Sequence, residues 1–249
     1  MSWYSPRYGI IGDLHSNLAA LRAVLDDLAR EQVVSVLCVG DIVGYGPSPN
    51  EVIQALDGVR LHSIRGNHDR YALGENSDLL RAATAEAVDY TRQQLTPASR
   101  AVLEALKDTL TFDDRILLVH GSPRDRDEYI LTQEGAVANY RHFCTHYGGI
   151  YLCLFGHTHL PTVVGDGKVV HDIPSDYTLK LKMMTPYLVN PGSVGQPRDG
   201  NPDAAYALLD VTERTVTFRR VRYDVEDTRR RVLEAGLQRH LGDRLLVGR

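Results

Sequence analysis

Seven side chains suited to holding a divalent cation sit at the ends of short apolar runs. They are Asp13 and His15 in "GDLHSN", Asp41 in "VGDIVG", Asn67 in "RGNHDR", His120 in "VHGSP", and His157 with His159 in "FGHTHLP". Two aspartates, an amide and four imidazoles form a mixed oxygen and nitrogen set, which suits Zn²⁺, Mn²⁺ or Fe²⁺ without choosing among them. Side chains two apart in an extended segment point the same way, so Asp13 with His15, and His157 with His159, can each reach one cavity. Six or seven such groups at a buried rim are costly to desolvate without a partner. Metal ions supply that partner, and a bridging carboxylate lets two ions share the site. A lone histidine at a strand end is more often structural, but that does not explain four of the ten histidines falling at strand ends beside two aspartates. His62, His142, His146, His171 and His240 fit no ligand spacing and read as structural or surface residues.

The elements that must position these groups alternate. An apolar run at Tyr8–Ile11 precedes a helical pattern in which Leu18, Leu21, Val24, Leu25 and Leu28 share one face. "VVSVLCVG" (33–40) reads as a buried strand, and Ser48, Pro49 and Glu51 read as a capping box opening a second helix. "VRLHSIRGNHD" reads as a third strand emptying into a polar loop. The first 70 residues therefore predict β-α-β-α-β and a parallel sheet. Two helical patterns lie within 77–107, a strand at 115–121, a helix over Glu134–Tyr147, and a strand at 150–155. Hairpins follow around Asp166-Gly167 and Thr212–Glu213, then an amphipathic helix from about Asp224 to Leu237. Each ligand candidate thus lies at the carboxyl end of a predicted strand, where open α/β sheets place their ligands.

Composition sets the bounds. The 249 residues can bury one α/β core, with no convincing linker or repeat, so a single domain over 1–249 is expected. A formal net charge of −4 gives no general argument for nucleic acid or an anionic membrane. Six arginines in "RRVRYDVEDTRRR" are interleaved with acids, which favours a solvated helix face. Cys38, Cys144 and Cys153 are too few and scattered for a disulfide framework, and no apolar stretch reaches membrane-spanning length. A cytoplasmic protein is the expectation.

The ordered series D-x-H, G-D, G-N-H-D, H-G and G-H-T-H, running from Asp13 to about Gly195, resembles the calcineurin-like metallophosphoesterase superfamily. The resemblance implies a four-layer αββα sandwich of two mixed sheets with a two-metal site at the strand ends. It assigns Asp13, His15, Asp41 and His159 to one ion, and Asp41, Asn67, His120 and His157 to the other. Asp41 would then bridge, together with a hydroxide that attacks phosphorus, and His68 would face the leaving group as general acid or charge stabiliser. Protein Ser/Thr phosphatases of the superfamily continue the second motif as G-D-x-V-D-R-G, whereas this chain reads "GDIVGYGP", with Gly44 and Tyr45 in place of the aspartate and arginine. That segment and "NPGSVGQPRDG" resemble instead the small prokaryotic phosphoesterase branch. The implied activity is hydrolysis of a small phosphate ester or nucleotide, with phosphodiester or dinucleoside polyphosphate hydrolysis as the alternative. A catalytically silent protein-binding scaffold is the rival from another class. Tyr45, Arg124 and Arg198 are candidate substrate contacts, and the helical insertion around 70–107 could roof the site.

Overall fold

The computed structural model describes residues 6–75, 80–171 and 173–249. Residues 1–5, residues 76–79 of the helical insertion and Asp172 of the "PTVVGDGKVVHDI" hairpin segment lie outside the described residues.

Two six-stranded mixed sheets face each other. In the first, β1 (Arg7–Ile11), β2 (Ser35–Cys38) and β3 (Leu61–Ser63) run parallel. It continues through β11 (Ala204–Asp210), β12 (Thr215–Val221) and β9 (Thr178–Lys180), all antiparallel. The second is built on parallel β5 (Ile116–Leu118), β6 (Leu152–Leu154) and β10 (Tyr187–Asn190). Antiparallel β4 (Leu110–Phe112), β7 (Thr162–Gly165) and β8 (Lys168–Val170) complete its edges.

The alternation of side chains along the strands creates the layers. Leu152 and Leu154 of β6 meet Ile10, Leu37 and Val39 of the facing sheet in the central core. Cys153 and Phe155 turn outward onto Phe143 and Ala136 of α6 (Gln133–His146). On the opposite outer face, Leu21, Val24 and Leu28 of α1 (Leu18–Arg30) and Val52 and Leu56 of α2 (Pro49–Leu56) cover Ile11, Val36 and Cys38. This is the αββα sandwich that the resemblance implies. The covered faces explain why these strands read as continuous apolar runs.

Most predicted elements appear near their expected positions, and the short β4, β9 and α8 (Arg239–Asp243) come in addition; three other differences bear on the site. "GNHDRYAL" is not a loop: Asn67–Leu73 form α3, and the Asp69 carboxylate accepts from Gly66 N at 2.9 Å and from Val43 N at 3.0 Å. Ser48 occupies the N-cap position of α2 but its side chain makes no cap bond; instead its N–H donates to Ser16 O at 3.2 Å. β10, a central strand, has no counterpart in the sequence reading, because four residues between prolines carry no readable period.

Within the insertion, α5 (Pro97–Ala105) joins the outer helix layer, with Leu103 in the same core as α1 and α2. Ala87 of α4 (Ala82–Gln94) packs instead with Tyr45, with Val232 of α7 (Val225–Glu234) and with Leu241 of α8 (Arg239–Asp243). No described helix is long and apolar enough to cross a membrane.

Candidate metal centre

The parallel strands of both sheets deliver their carboxyl ends to one rim. Asp13 and His15 follow β1, Asp41 follows β2, Asn67 opens α3 after β3, His120 follows β5, and His157 and His159 follow β6. All seven are buried. Five of them hold left-handed backbone: φ is 50° at Asp13, 46° at His15, 54° at Asp41, 67° at His157 and 61° at His159. Aspartate and histidine tolerate this region better than most residues, but it is sparsely populated and persists where surrounding structure enforces it. Here the enforcement is visible in the hydrogen bonds. Asp13 N donates to Gly40 O at 2.9 Å, and His15 N to Asp41 O at 2.9 Å. The "NPGSVG" loop braces Asp13 from the other side: Gly195 N and Ser193 Oγ both donate to its carbonyl, at 2.9 and 2.8 Å.

Two ligand groups form, each with its donor atoms within 4.8 Å of one another: Asp13, His15, Asp41 and His159, and then Asp41, His120 and His157. Asp41 belongs to both. Asn67 joins the second through its Oδ1, 2.9 Å from His120 Nε2. The structure therefore brings together all seven ligand candidates.

The outer hydrogen bonds fix which nitrogen faces inward. A carbonyl oxygen can only accept, so the ring nitrogen facing it carries the hydrogen. His15 Nδ1 lies 3.3 Å from Val43 O, His120 Nδ1 2.8 Å from Val39 O, and His159 Nδ1 2.5 Å from Gln196 O, which turns their Nε2 atoms inward. His157 takes the other tautomer: its Nε2 meets Asp127 O at 3.1 Å, leaving Nδ1 for the centre. His15 Nε2 and His159 Nε2 then face one another at 3.0 Å. Burial keeps both rings neutral, with pKa values well below the ordinary histidine range. Two lone pairs at that separation need a cation between them. Asp13 Oδ2 is likewise buried with no hydrogen-bond partner among the described residues. The donor set fits borderline divalent ions.

The remaining titrations describe a site prepared for positive charge. Burial would raise Asp41, but His120 and His68 hold its carboxyl well below the usual range. Burial and the Asp41 charge raise Asp13 to about 7. Burial opposes charge on His120, yet Asp41 wins and lifts it to about 9; burial lowers His157 to about 3. Metal loading must therefore expel the His120 proton below pH about 9, and that of Asp13 below about 7. Affinity is expected to fall about tenfold per pH unit from 9 toward 7 and more steeply below, with protons released on loading. Calorimetry in buffers of different ionisation enthalpy measures this, and pH-independent loading over that range would contradict it.

His68 lies beside the centre, buried, its N–H donating to Asp41 Oδ1 at 2.8 Å. Burial lowers its ring to about 4, and its Nδ1 has no hydrogen-bond partner among the described residues. Gly44 shows why no aspartate serves it. A Cβ there would stand 2.6 Å from His68 Nδ1, on a backbone at φ +98°. Gly44→Ala is expected to displace the ring and cost about 1–3 kcal/mol, lowering both Tm and turnover; a variant matching wild type in both would contradict this placement.

The three substrate candidates divide. The Tyr45 ring packs 4.8 Å from His15 and 4.2 Å from His68. Arg198 lies close enough for its charge to act on Asp13, His15, His68 and His159. Arg124 is not brought to the centre: its guanidinium pairs with Glu128 and its Nε donates to Asn139 Oδ1 at 3.2 Å. A charged neighbour four residues on, together with an amide on α6, captured it. Tyr129 is absent from the sequence candidates, yet its ring lies 3.7 Å from that of His157. So is Arg70, buried and paired with Asp127, the residue whose carbonyl orients His157. Neither carries a sequence signal: Tyr129 lies in a loop, and Arg70 reaches the site only through its pairing with Asp127.

Comparison with known proteins agrees with the site. The calcineurin-like phosphoesterase superfamily domain matches residues 7–214. A crystallised metallophosphoesterase from Sphaerobacter thermophilus is 36% identical, with a TM-score of 0.86 covering 99% of this chain and 100% of that one. Protein MJ0912 of Methanocaldococcus jannaschii is 32% identical over 247 residues, 96% of this chain and 97% of its own. The Escherichia coli phosphodiesterase YfcE is 25% identical over 208 residues, 80% of this chain and 84% of its own. A buried aspartate and histidine cluster at the strand ends of an αββα sandwich, on a chain matched across most of its length, places this protein in the calcineurin-like phosphoesterase superfamily, as a metal-dependent phosphoesterase.

Proposed function

We propose that the chain hydrolyses a small phosphate ester or nucleotide at a pair of divalent ions, Mn²⁺, Fe²⁺ or Zn²⁺. Asp13, His15, Asp41 and His159 hold one; Asp41, Asn67, His120 and His157 hold the other. The observation that carries this reading is the sharing of Asp41 by two buried ligand groups. Ions bound there supply Lewis-acid polarisation of the phosphoryl oxygens and activation of water at neutral pH.

The chain's own residues do the rest. Asp13 and Asp41 carry the negative charge that retains the ions, and backbone carbonyls hold each imidazole in the ligating tautomer. His68 is neutral near pH 7, since burial holds it to about 4. It therefore serves the leaving oxygen as a hydrogen-bond donor and stabiliser of developing charge rather than as a standing imidazolium. Tyr45 and Arg198 border the reacting group and orient it. Beside this rim α4 packs on Tyr45 and forms a side wall.

Phosphodiester hydrolysis is the second reading, favoured by the likeness to YfcE and by the absence of the phosphatase aspartate at Gly44. To separate the two, the protein is stripped of metal, reloaded with Mn²⁺, and assayed on p-nitrophenyl phosphate, bis(p-nitrophenyl) phosphate and diadenosine tetraphosphate. Metal-dependent turnover is expected on at least one, and the ranking names the class. No turnover with any of several divalent ions would overturn the hydrolase reading of this site.

A further inference from the structure

The central core opens to solvent at the end of the sandwich opposite the metal centre. Leu181 and Leu209, both buried members of that core, form the floor of a pocket of about 520 Å³. Ile150, Tyr151 and Pro186, which lead into β6 and β10, line its side. Met183 and Met184 stand at its lip, 73% and 96% exposed. The volume lies within the range of small-ligand sites, roughly 300–1,000 Å³. An apolar floor with a polar rim marks a ligand groove, and a flexible methionine pair lets the lip adapt to what enters.

The pocket is remote from the chemistry and built into the fold. Tyr151 precedes β6, whose far end delivers His157, and an extended run from one to the other spans about 20 Å. Arg115 likewise precedes β5, whose far end delivers His120. A molecule held here therefore does not touch the reacting phosphoryl group. Backbone bonds fix the frame: Tyr151 N donates to Arg115 O at 3.1 Å, Tyr187 N to Tyr151 O at 2.9 Å, and Leu181 N to Arg214 O at 2.8 Å.

Charge at the rim says what such a molecule carries. Arg115 and Arg214 both line the pocket, and neither forms an ion pair among the described residues. Arg214 gives Nη2 to Lys182 O at 3.0 Å, which uses one of its donors. Burial raises the Tyr151 hydroxyl, Arg214 and Arg115 oppose that rise, and Asp113 adds to it, so both guanidiniums act on one ring of the pocket wall. Asp210, the carboxylate among the described lining residues, is engaged elsewhere: Oδ1 accepts from Glu213 N at 2.8 Å and Oδ2 from Arg7 Nε at 3.4 Å. We propose that this pocket binds a small anionic amphiphile, a medium-chain organic acid, with its hydrocarbon on Leu181 and Leu209 and its anion on Arg115 and Arg214. It is a second ligand, separate from the phosphate ester at the metal centre.

The probe is 1-octanesulfonate, which carries the same charge and chain while avoiding carboxylate ligation of Mn²⁺. Titrated calorimetrically into the Mn²⁺-loaded full chain, it is expected to bind at about one site per chain with a Kd of ~10–100 µM. Neutral octanamide should bind at least about tenfold more weakly, since it forfeits the charge-assisted contacts. R115Q and R214Q should each weaken the sulfonate about fivefold or more with metal content unchanged, and R214K should keep most of the affinity. Arg115 is exposed, so R115Q serves if R214Q fails to fold. Sulfonate binding should also survive removal of the metal. Octanamide binding as tightly as the sulfonate, wild-type affinity in both glutamine variants, or binding that vanishes with the metal would overturn the proposal. So would a dimer in sedimentation that takes up no probe, since a second copy then covers the groove. None of these outcomes bears on the hydrolase reading, which the preceding assay tests.

Discussion

Replacing Asp41 with asparagine is expected to lower metal-dependent turnover by ~10³-fold or more, because both ligand groups lose their shared anion at once. The substitution is nearly isosteric. The amide oxygen it introduces can still accept the His68 N–H that Asp41 now takes at 2.8 Å, so the local fold has no reason to collapse. The charge balance changes instead. Asp41 is the group that raises His120 to about 9 and opposes the lowering of His15 and His68. Without it, His120 no longer holds a proton near neutrality in the metal-free protein, while the second ion keeps only neutral ligands: Asn67, His120 and His157. Metal content should fall below one ion per chain, and the gain in Tm on metal loading should shrink. Activity close to wild type in the asparagine variant would contradict the shared-carboxylate arrangement.

His68→Ala should behave differently. Turnover is expected to drop by ~10²–10³-fold with metal content unchanged, since the imidazole touches the centre's edge without supplying one of its ligand atoms. His68 is buried against Tyr45, His15 and Tyr71, so truncation leaves a cavity and costs about 1–3 kcal/mol. The stability loss is separable from the catalytic loss by assaying well below Tm. Measuring kcat and bound metal on the same sample decides the role. Loss of metal with an unchanged rate per loaded site would assign His68 to the ligand shell.

The convergence of the seven ligand candidates on one rim was legible because two simple periodicities delimit it. Short apolar runs such as "VVSVLCVG", bounded by turn residues, read as strands covered on both faces, and each is cut off by a polar residue. The parallel order follows from the intervening helices, and with it the meeting of all carboxyl ends. Features without a period were not legible. α3 begins with three polar residues, and its character as a helix depends on the Asp69 carboxylate reaching backward to Gly66 and across to Val43. β10 is short and fully buried, so no alternation marks it. The groups that orient the imidazoles are carbonyls of Val39, Val43, Asp127 and Gln196, and a backbone carbonyl leaves no trace in residue type. Arg124 and Arg198 are equivalent in sequence terms; Glu128, four residues on from Arg124, separates them.

If two ions share the Asp41 carboxylate, the number of ions bound per chain must show it. Wild type, Asp13→Asn and Asp41→Asn are stripped of metal, reloaded with Mn²⁺, desalted and analysed for metal per chain. About two ions are expected in wild type, about one in Asp13→Asn and fewer than one in Asp41→Asn. A wild type that retains no more than one ion, or an Asp41→Asn variant that retains as many as wild type, would contradict it.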